Sequence, residues 1–192
     1  LDCTWMAEFD FIDARTTVVK DAWNNVRRSI SGDEPVILLT EGSSDTSILR
    51  LSLEALFPEL VDRFQFLDFS SNLKGGAVSV VEQLKAFAAC GFRNRVLAIV
   101  DHDAVARDAL RGLQATRLPE NLGVMHLPHL AIAEDYPTVG PQGKVHVNVN
   151  GRAVGIEMFC GRRLLVDPNT LELSPVVWRG YVDGVKAYQG EI

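Results

Sequence analysis

The chain has 192 residues, 47% hydrophobic and 23% charged, an ordinary balance for one globular domain with an appendage. Its formal net charge of -6 excludes a free-standing cationic nucleic-acid binder, because that kind of phosphate affinity is carried by Lys and Arg. No apolar stretch approaches the ~18 residues that span a bilayer and no secretion signal opens the chain; Cys3, Cys90 and Cys160 suggest neither a disulfide framework nor a zinc knuckle, so a non-membrane protein of the reducing cytoplasm is expected.

In residues 1–32, Trp5, Phe9, Phe11, Ile12, Val18, Val19, Trp23, Val26 and Ile30 recur among polar residues at a spacing closer to helix than strand. Ser31-Gly32-Asp33-Glu34-Pro35 breaks the pattern, and the segment is expected to be a linking helix from an upstream domain. The chain starts at Leu rather than Met and ends without an obvious stop signal, so it is expected to be an excerpt of a longer polypeptide.

From Pro35 the pattern alternates strand and helix. Pro35-Val36-Ile37-Leu38-Leu39-Thr40 lacks polar alternation, as a strand covered on both faces does, and stops at Glu41. Asp45 to Phe57 carries Ile48, Leu49, Leu51, Leu53, Leu56 and Phe57 on a helical stripe, closed by Pro58. Phe64 to Phe69 predicts a second strand, and Gly75-Gly76 opens a second helix that runs to Gly91. Val96 to Val100 predicts a third strand ending at Asp101-His102-Asp103, followed by a helix over Ala104 to Leu113 and a strand over Leu122 to Leu127. Such alternation implies right-handed crossovers and a mainly parallel four-stranded sheet flanked by helices, with its core in residues 33–135. In residues 136–192, Val145 to Val149 alternates like a half-exposed strand; Asn150-Gly151 is a hairpin signal, and Arg152 to Ile156 is expected to return as its partner.

Two acidic motifs follow strands. Glu41-Gly42-Ser43-Ser44-Asp45 follows the first and Asp101-His102-Asp103 the third, where open α/β sheets place their functional crevice. For Glu41 and Asp101 to share one site, the strand order must be two-one-three-four or a close relative. Asp101 and Asp103 are two apart, so an extended backbone turns both carboxylates to one side. Hard oxygen ligands without a Cys or His cluster favour Mg²⁺ or Mn²⁺ over zinc, and phosphoryl chemistry is the natural reaction class. Asp45 and Asp103 read alternatively as N-caps of the helices they precede, and His102 between the aspartates alternates to the opposite side and reads as structural. Lys74-Gly75-Gly76 offers a cation and N–H groups to a phosphate or is an ordinary loop. His126 and His129 lack a metal-ligand partner pattern, and Arg162-Arg163 suits either a nucleic-acid backbone or plain surface.

Residues 35–135 resemble the Toprim domain through Glu41 after the first strand and Asp101-His102-Asp103 after the third. The added Asp45 and the later Gly155-Ile156-Glu157-Met158-Phe159 resemble the overcoming-lysogenization-defect branch of Toprim nucleases. With Trp178 and Tyr188-Gln189-Gly190-Glu191, the chain looks most like proteins that join an upstream HEPN domain to Toprim. The resemblance implies a Rossmann-like fold and two-metal cleavage of DNA or RNA, with Glu41, Asp45, Asp101, Asp103 and Glu157 as ligands to two Mg²⁺ or Mn²⁺ ions. It also implies Glu41 as general acid or base, Lys186 as the late basic residue that steadies developing charge, a HEPN-like domain or companion subunit as partner, and a place in anti-phage defence. Self-association stays open. Glu157 reads alternatively as an exposed helix-start residue and Lys186 as solvated surface. Phosphatases of the haloacid-dehalogenase kind also use Asp-x-Asp, but after the first strand; a non-catalytic Toprim that binds nucleotide or a partner protein is the remaining alternative.

Overall fold

The computed structural model describes residues 34–67, 69 and 73–192, and the expected linking helix over 1–32 lies outside them. The chain enters β1 (Val36–Leu39), whose branched apolar residues suit a pleated, covered strand. It leaves through α1 (Ser43–Leu56), a 3-10 turn over Pro58–Arg63, β2 (Phe64–Phe66), α2 (Ala77–Ala89), β3 (Val96–Val100), the two-residue β4 (His102–Asp103), α3 (Ala104–Arg111) and β5 (Leu122–His126). The sheet order is β2-β1-β3-β5 and every ladder is parallel, with Ile37 opposite Val96 and Val96 opposite Leu122. This is the expected order, and its reversal beside β1 creates the crevice at the carboxyl ends of β1 and β3.

Helix ends follow local chemistry. Gly42 precedes α1, and Asp45 in the first turn accepts the Gly42 N–H at 3.1 Å, satisfying a donor the helix leaves free. Pro58 stops the helix by forcing Phe57 out of helical geometry, to φ -142 and ψ 58. Asp103 caps α3, its Oδ1 accepting the Ala106 N–H at 2.7 Å.

The main core lies on one face of the sheet. Leu39, Val96, Ala98, Val100 and Leu122 pack against Ala77, Val80, Val81 and Leu84 of α2 and Ala106 of α3. Leu84 is fully buried, and its truncation to Ala would cost ~2–5 kcal/mol. Helix α1 contributes nothing to this core. A right-handed crossover carries it to the other face, where the Arg50 guanidinium lies 5.2 Å from the centre of the Phe66 ring.

The C-terminal part departs from expectation. Strand β7 (Gly143–Val147) pairs antiparallel with β6 (Tyr136–Gly140), not with the residues after Asn150-Gly151. The turn forms where Gly143, at φ 89, adopts a left-handed conformation. Asn150 is diverted to loop anchoring: its Oδ1 accepts the Leu130 N–H at 2.9 Å and its Nδ2 donates to the Leu130 carbonyl at 3.1 Å. The expected return strand is reduced to β8 (Ala153–Val154), which pairs antiparallel with β4 and so ties this region to the Asp-His-Asp segment. Strands β9 (Val176–Val182) and β10 (Ala187–Glu191) complete a second sheet of order β10-β9-β6-β7. Its own core gathers Ala133, Tyr136, Val149, Val154, Met158 and Val176. Among the described residues, no helix is long and apolar enough to cross a membrane.

Candidate functional site

The acidic motifs meet at the carboxyl ends of β1 and β3. A cleft of about 520 Å³ is lined by Glu41, Asp101, Asp103, Glu157, Gln189 and Glu191, together with backbone from the start of α2. Oxygen donors dominate it, and neither His nor Cys lines it.

Glu41 is the best-held of these carboxylates. Its Oε1 accepts the Asp101 N–H at 2.8 Å, so one strand end is bonded directly to the other. The N–H of Ala77, the first residue of α2, also works to lower the pKa of Glu41, and the positive end of the helix dipole there favours an anion. The Glu41 carbonyl accepts the Gly76 N–H at 2.7 Å. Gly75 is required by contact: a Cβ there would sit 2.5 Å from that carbonyl oxygen. Gly75-Gly76 therefore serves to press the α2 start onto Glu41, a role the sequence signalled as punctuation without naming its target. Lys74 beside them is exposed.

Asp101 stands where the charges concentrate. Burial, and then the neighbouring carboxylates of Glu41, Asp45, Asp103 and Glu157, push its pKa up to about 8. Glu41 is also raised, by burial first and by Asp103 and Asp45, against the lowering Asp101 hydrogen bond. Burial raises Asp103, opposed by the Ala106 and Val105 N–H groups of its cap. Burial likewise raises Asp45, opposed chiefly by the Gly42 N–H. Asp45 does not line the cleft, yet it sits close enough to act on both Glu41 and Asp101.

The capping roles expected as alternatives for Asp45 and Asp103 are therefore present, and in each case the second carboxylate oxygen lies outside the cap; for Asp45 that oxygen, Oδ1, accepts the Ser44 hydroxyl at 3.4 Å. For Asp103 that oxygen, Oδ2, faces the Gln189 amide at 3.5 Å, a contact across 86 residues of sequence. Gln189 joins the site from the second sheet. Only the pairing of β9 with β10 swings it over the cleft, and no local pattern announces that.

Glu157 lies in the first turn of a 3-10 helix over Ile156–Phe159 and is exposed, as the helix-start alternative requires, but it also lines the cleft. Gly155 makes this possible, since a Cβ there would lie 2.6 Å from both Glu157 carboxylate oxygens. Lys186 lies elsewhere: it is exposed on the β9–β10 turn at φ 51 and does not line the cleft. Arg162 and Arg163 occupy an exposed 3-10 turn away from the lining. His102 stacks on His126 with centroids 4.4 Å apart, and burial lowers its pKa, followed by His126, Arg107 and His129. His129 contacts Glu134 at 3.6 Å.

No three His, Cys, Asp or Glu side chains among the described residues form a ready-made metal cage. Family models, curated proteins and solved structures were compared with the chain, and none matches it.

Proposed function

We propose that the chain is a Toprim-type nuclease module, resembling the overcoming-lysogenization-defect branch, that cleaves phosphodiester bonds of DNA or RNA with Mg²⁺ or Mn²⁺. The observation that carries this reading is the convergence of Glu41, Asp101, Asp103 and Glu157 on one cleft, from segments far apart in sequence. Nothing in folding favours gathering carboxylates around Asp101, whose pKa is raised by burial and then by the charges of its neighbours, so the arrangement points to a cation or a proton-transfer task.

The donor set fits a hard divalent ion, being carboxylate oxygen without thiolate or imidazole. Glu41, Asp101 and Asp103 would hold one ion, and Asp45 with Glu157 would hold the second. Bound there, the ions would supply Lewis-acid charge for an attacking water and a leaving oxygen. The chain's own residues do the rest. Glu41, fixed by Asp101 N–H and the start of α2, is the group placed to take a proton at its free oxygen. Asp103 is oriented by its cap on one oxygen and by Gln189 near the other. No Lys or Arg lines the cleft, so positive charge for holding the nucleic acid must come from the ions and from surfaces outside the lining. A HEPN-like domain or companion subunit is the partner this reading supplies, and anti-phage defence is its biological setting.

Incubation of the chain with plasmid, single-stranded DNA and structured RNA in Mn²⁺, beside Asp101→Ala, tests the proposal. Metal-dependent cleavage lost in a folded Asp101→Ala supports it. Nucleotide or protein binding without cleavage of any substrate would replace it with the non-catalytic alternative.

A further inference from the structure

Strands β9 and β10 carry a row of three aromatic side chains beside the acidic cleft. Tyr188 stands directly opposite Tyr181 in their ladder, so both rings lie on one face, and they meet edge to face with centroids 5.1 Å apart. A register shift between Gln189 and Gly190 then sets Trp178 opposite Gly190, and the Trp178 ring reaches Tyr188 at 6.5 Å, again edge to face. Gly190 makes the seat for that indole, since a Cβ there would run into Val176 Cγ1 and lie 3.1 Å from Trp178 Cε3. At one end the row is rooted in the second core, against which Trp178 packs. At the other it runs into solvent, where Tyr181 is 50% and Tyr188 56% exposed. An edge-to-face contact uses the edge of one ring and one face of the other, which leaves flat aromatic surface open to a further planar group.

Strand β10 carries this surface straight into the cleft. Gln189, the residue after Tyr188, faces Asp103 Oδ2 at 3.5 Å, and Glu191 lines the same cleft. At ~3.3 Å of rise per residue, Tyr188 and Glu191 are ~10 Å apart along the strand, so a chain stacked on the tyrosines needs only a short span to reach the carboxylates. Charge is not what such a chain would be gripped by. The turn between the strands exposes both Asp183 and Lys186, Arg179 is paired with Glu191 at 3.1 Å, and no described Lys or Arg lines the cleft. Stacking is an uncharged attraction, so it remains available to a protein of net charge -6 that must hold a polyanion. Its ligand is a base with a free face, which bases inside a duplex lack and unpaired bases present.

We propose that Tyr181 and Tyr188 form a stacking platform for unpaired bases, which leads single-stranded nucleic acid along β10 to the acidic cleft. The platform names the substrate class of that cleft and rests on reading it as a nuclease site. Trp178, packed against the core, holds the Tyr188 ring in place from behind.

Fluorescence anisotropy tests it, with a labelled oligothymidylate and a duplex of equal length titrated with the full chain. Ca²⁺ is present as a hard cation to neutralise the carboxylates, and a gel checks that the oligonucleotide stays intact. Tyr181→Leu combined with Tyr188→Leu removes both ring faces at exposed positions, and far-UV circular dichroism confirms the fold. The expected result is a loss of about tenfold or more in affinity for oligothymidylate, with duplex affinity held within about twofold. Tyr181→Phe with Tyr188→Phe keeps the ring faces and should bind oligothymidylate within about twofold of the parent. Oligothymidylate affinity indifferent to the leucines, an equal loss for the duplex, or no binding of oligothymidylate by the parent would each overturn the platform. A parent dimer that the leucines split in sedimentation would assign the face to a second copy and overturn it too. Mn²⁺-dependent plasmid cleavage, measured in parallel, separates the two readings: cleavage that persists while oligothymidylate binding ignores the leucines removes the platform and leaves the nuclease cleft standing.

Discussion

Replacing Asp101 with Asn should stabilise the metal-free protein while removing the proposed cleavage activity. In the folded chain Asp101 keeps its proton to about pH 8, against an ordinary value of 3.8. A raised folded pKa on a carboxyl means that folding is favoured in acid and that this advantage is lost as pH climbs from 3.8 to about 8. That interval, at ~1.36 kcal/mol per pH unit, sets a ceiling of roughly 5–6 kcal/mol. Asp101 retains partial solvent contact, and screening with side-chain relaxation reduces the expected effect to about 2 kcal/mol. For a chain of this size that corresponds to a rise of about 4–8 °C in Tm. The assay is thermal unfolding in EDTA across pH 4 to 9. Asp101→Asn should match wild type near pH 4, pull ahead as pH rises and reach a plateau above pH 8. Excess Mn²⁺ should reverse the ranking, since saturation at a hundredfold over Kd is worth ~2.7 kcal/mol to wild type alone. A variant less stable than wild type at pH 9 in EDTA, or a gap that ignores pH, would refute the reasoning.

Other predictions separate holding from folding. Asp103→Asn keeps a capping residue for α3 and removes a carboxyl whose pKa burial raises, so without metal it should unfold at or above the wild-type urea midpoint, whereas Asp103→Ala should lose ~0.5–2 kcal/mol; both should abolish the proposed cleavage. Gly75→Ala drives a methyl against the Glu41 carbonyl and should cost ~1–3 kcal/mol in urea unfolding, with a parallel loss of Mn²⁺ affinity. Glu157→Gln should fold normally and bind one Mn²⁺ fewer by equilibrium dialysis; unchanged stoichiometry and activity would return Glu157 to a helix-start role.

The first half of the chain was legible because its signals are local. Val36 to Leu39 and Val96 to Val100 are apolar runs that end at acids, and the stripes of α1 and α2 repeat at helical spacing between glycines and prolines. Requiring Glu41 and Asp101 to meet then dictated the β2-β1-β3-β5 order. The second half failed where pairing is non-local. Asn150-Gly151 has the composition of a tight turn, but Asn150 is bonded to Leu130 and the strand after it pairs with β4, more than forty residues upstream. The same limit hid Gln189, whose position depends on a strand pairing that no neighbouring residue encodes.

Diffraction from crystals soaked in Mn²⁺, recorded at the manganese edge, tests the central claim most directly. The account predicts anomalous peaks in the cleft bounded by Glu41, Asp101 and Asp103, with a second toward Asp45 and Glu157, and none there in Asp101→Asn. Well-ordered crystals saturated with Mn²⁺ that hold no manganese among these carboxylates would contradict it.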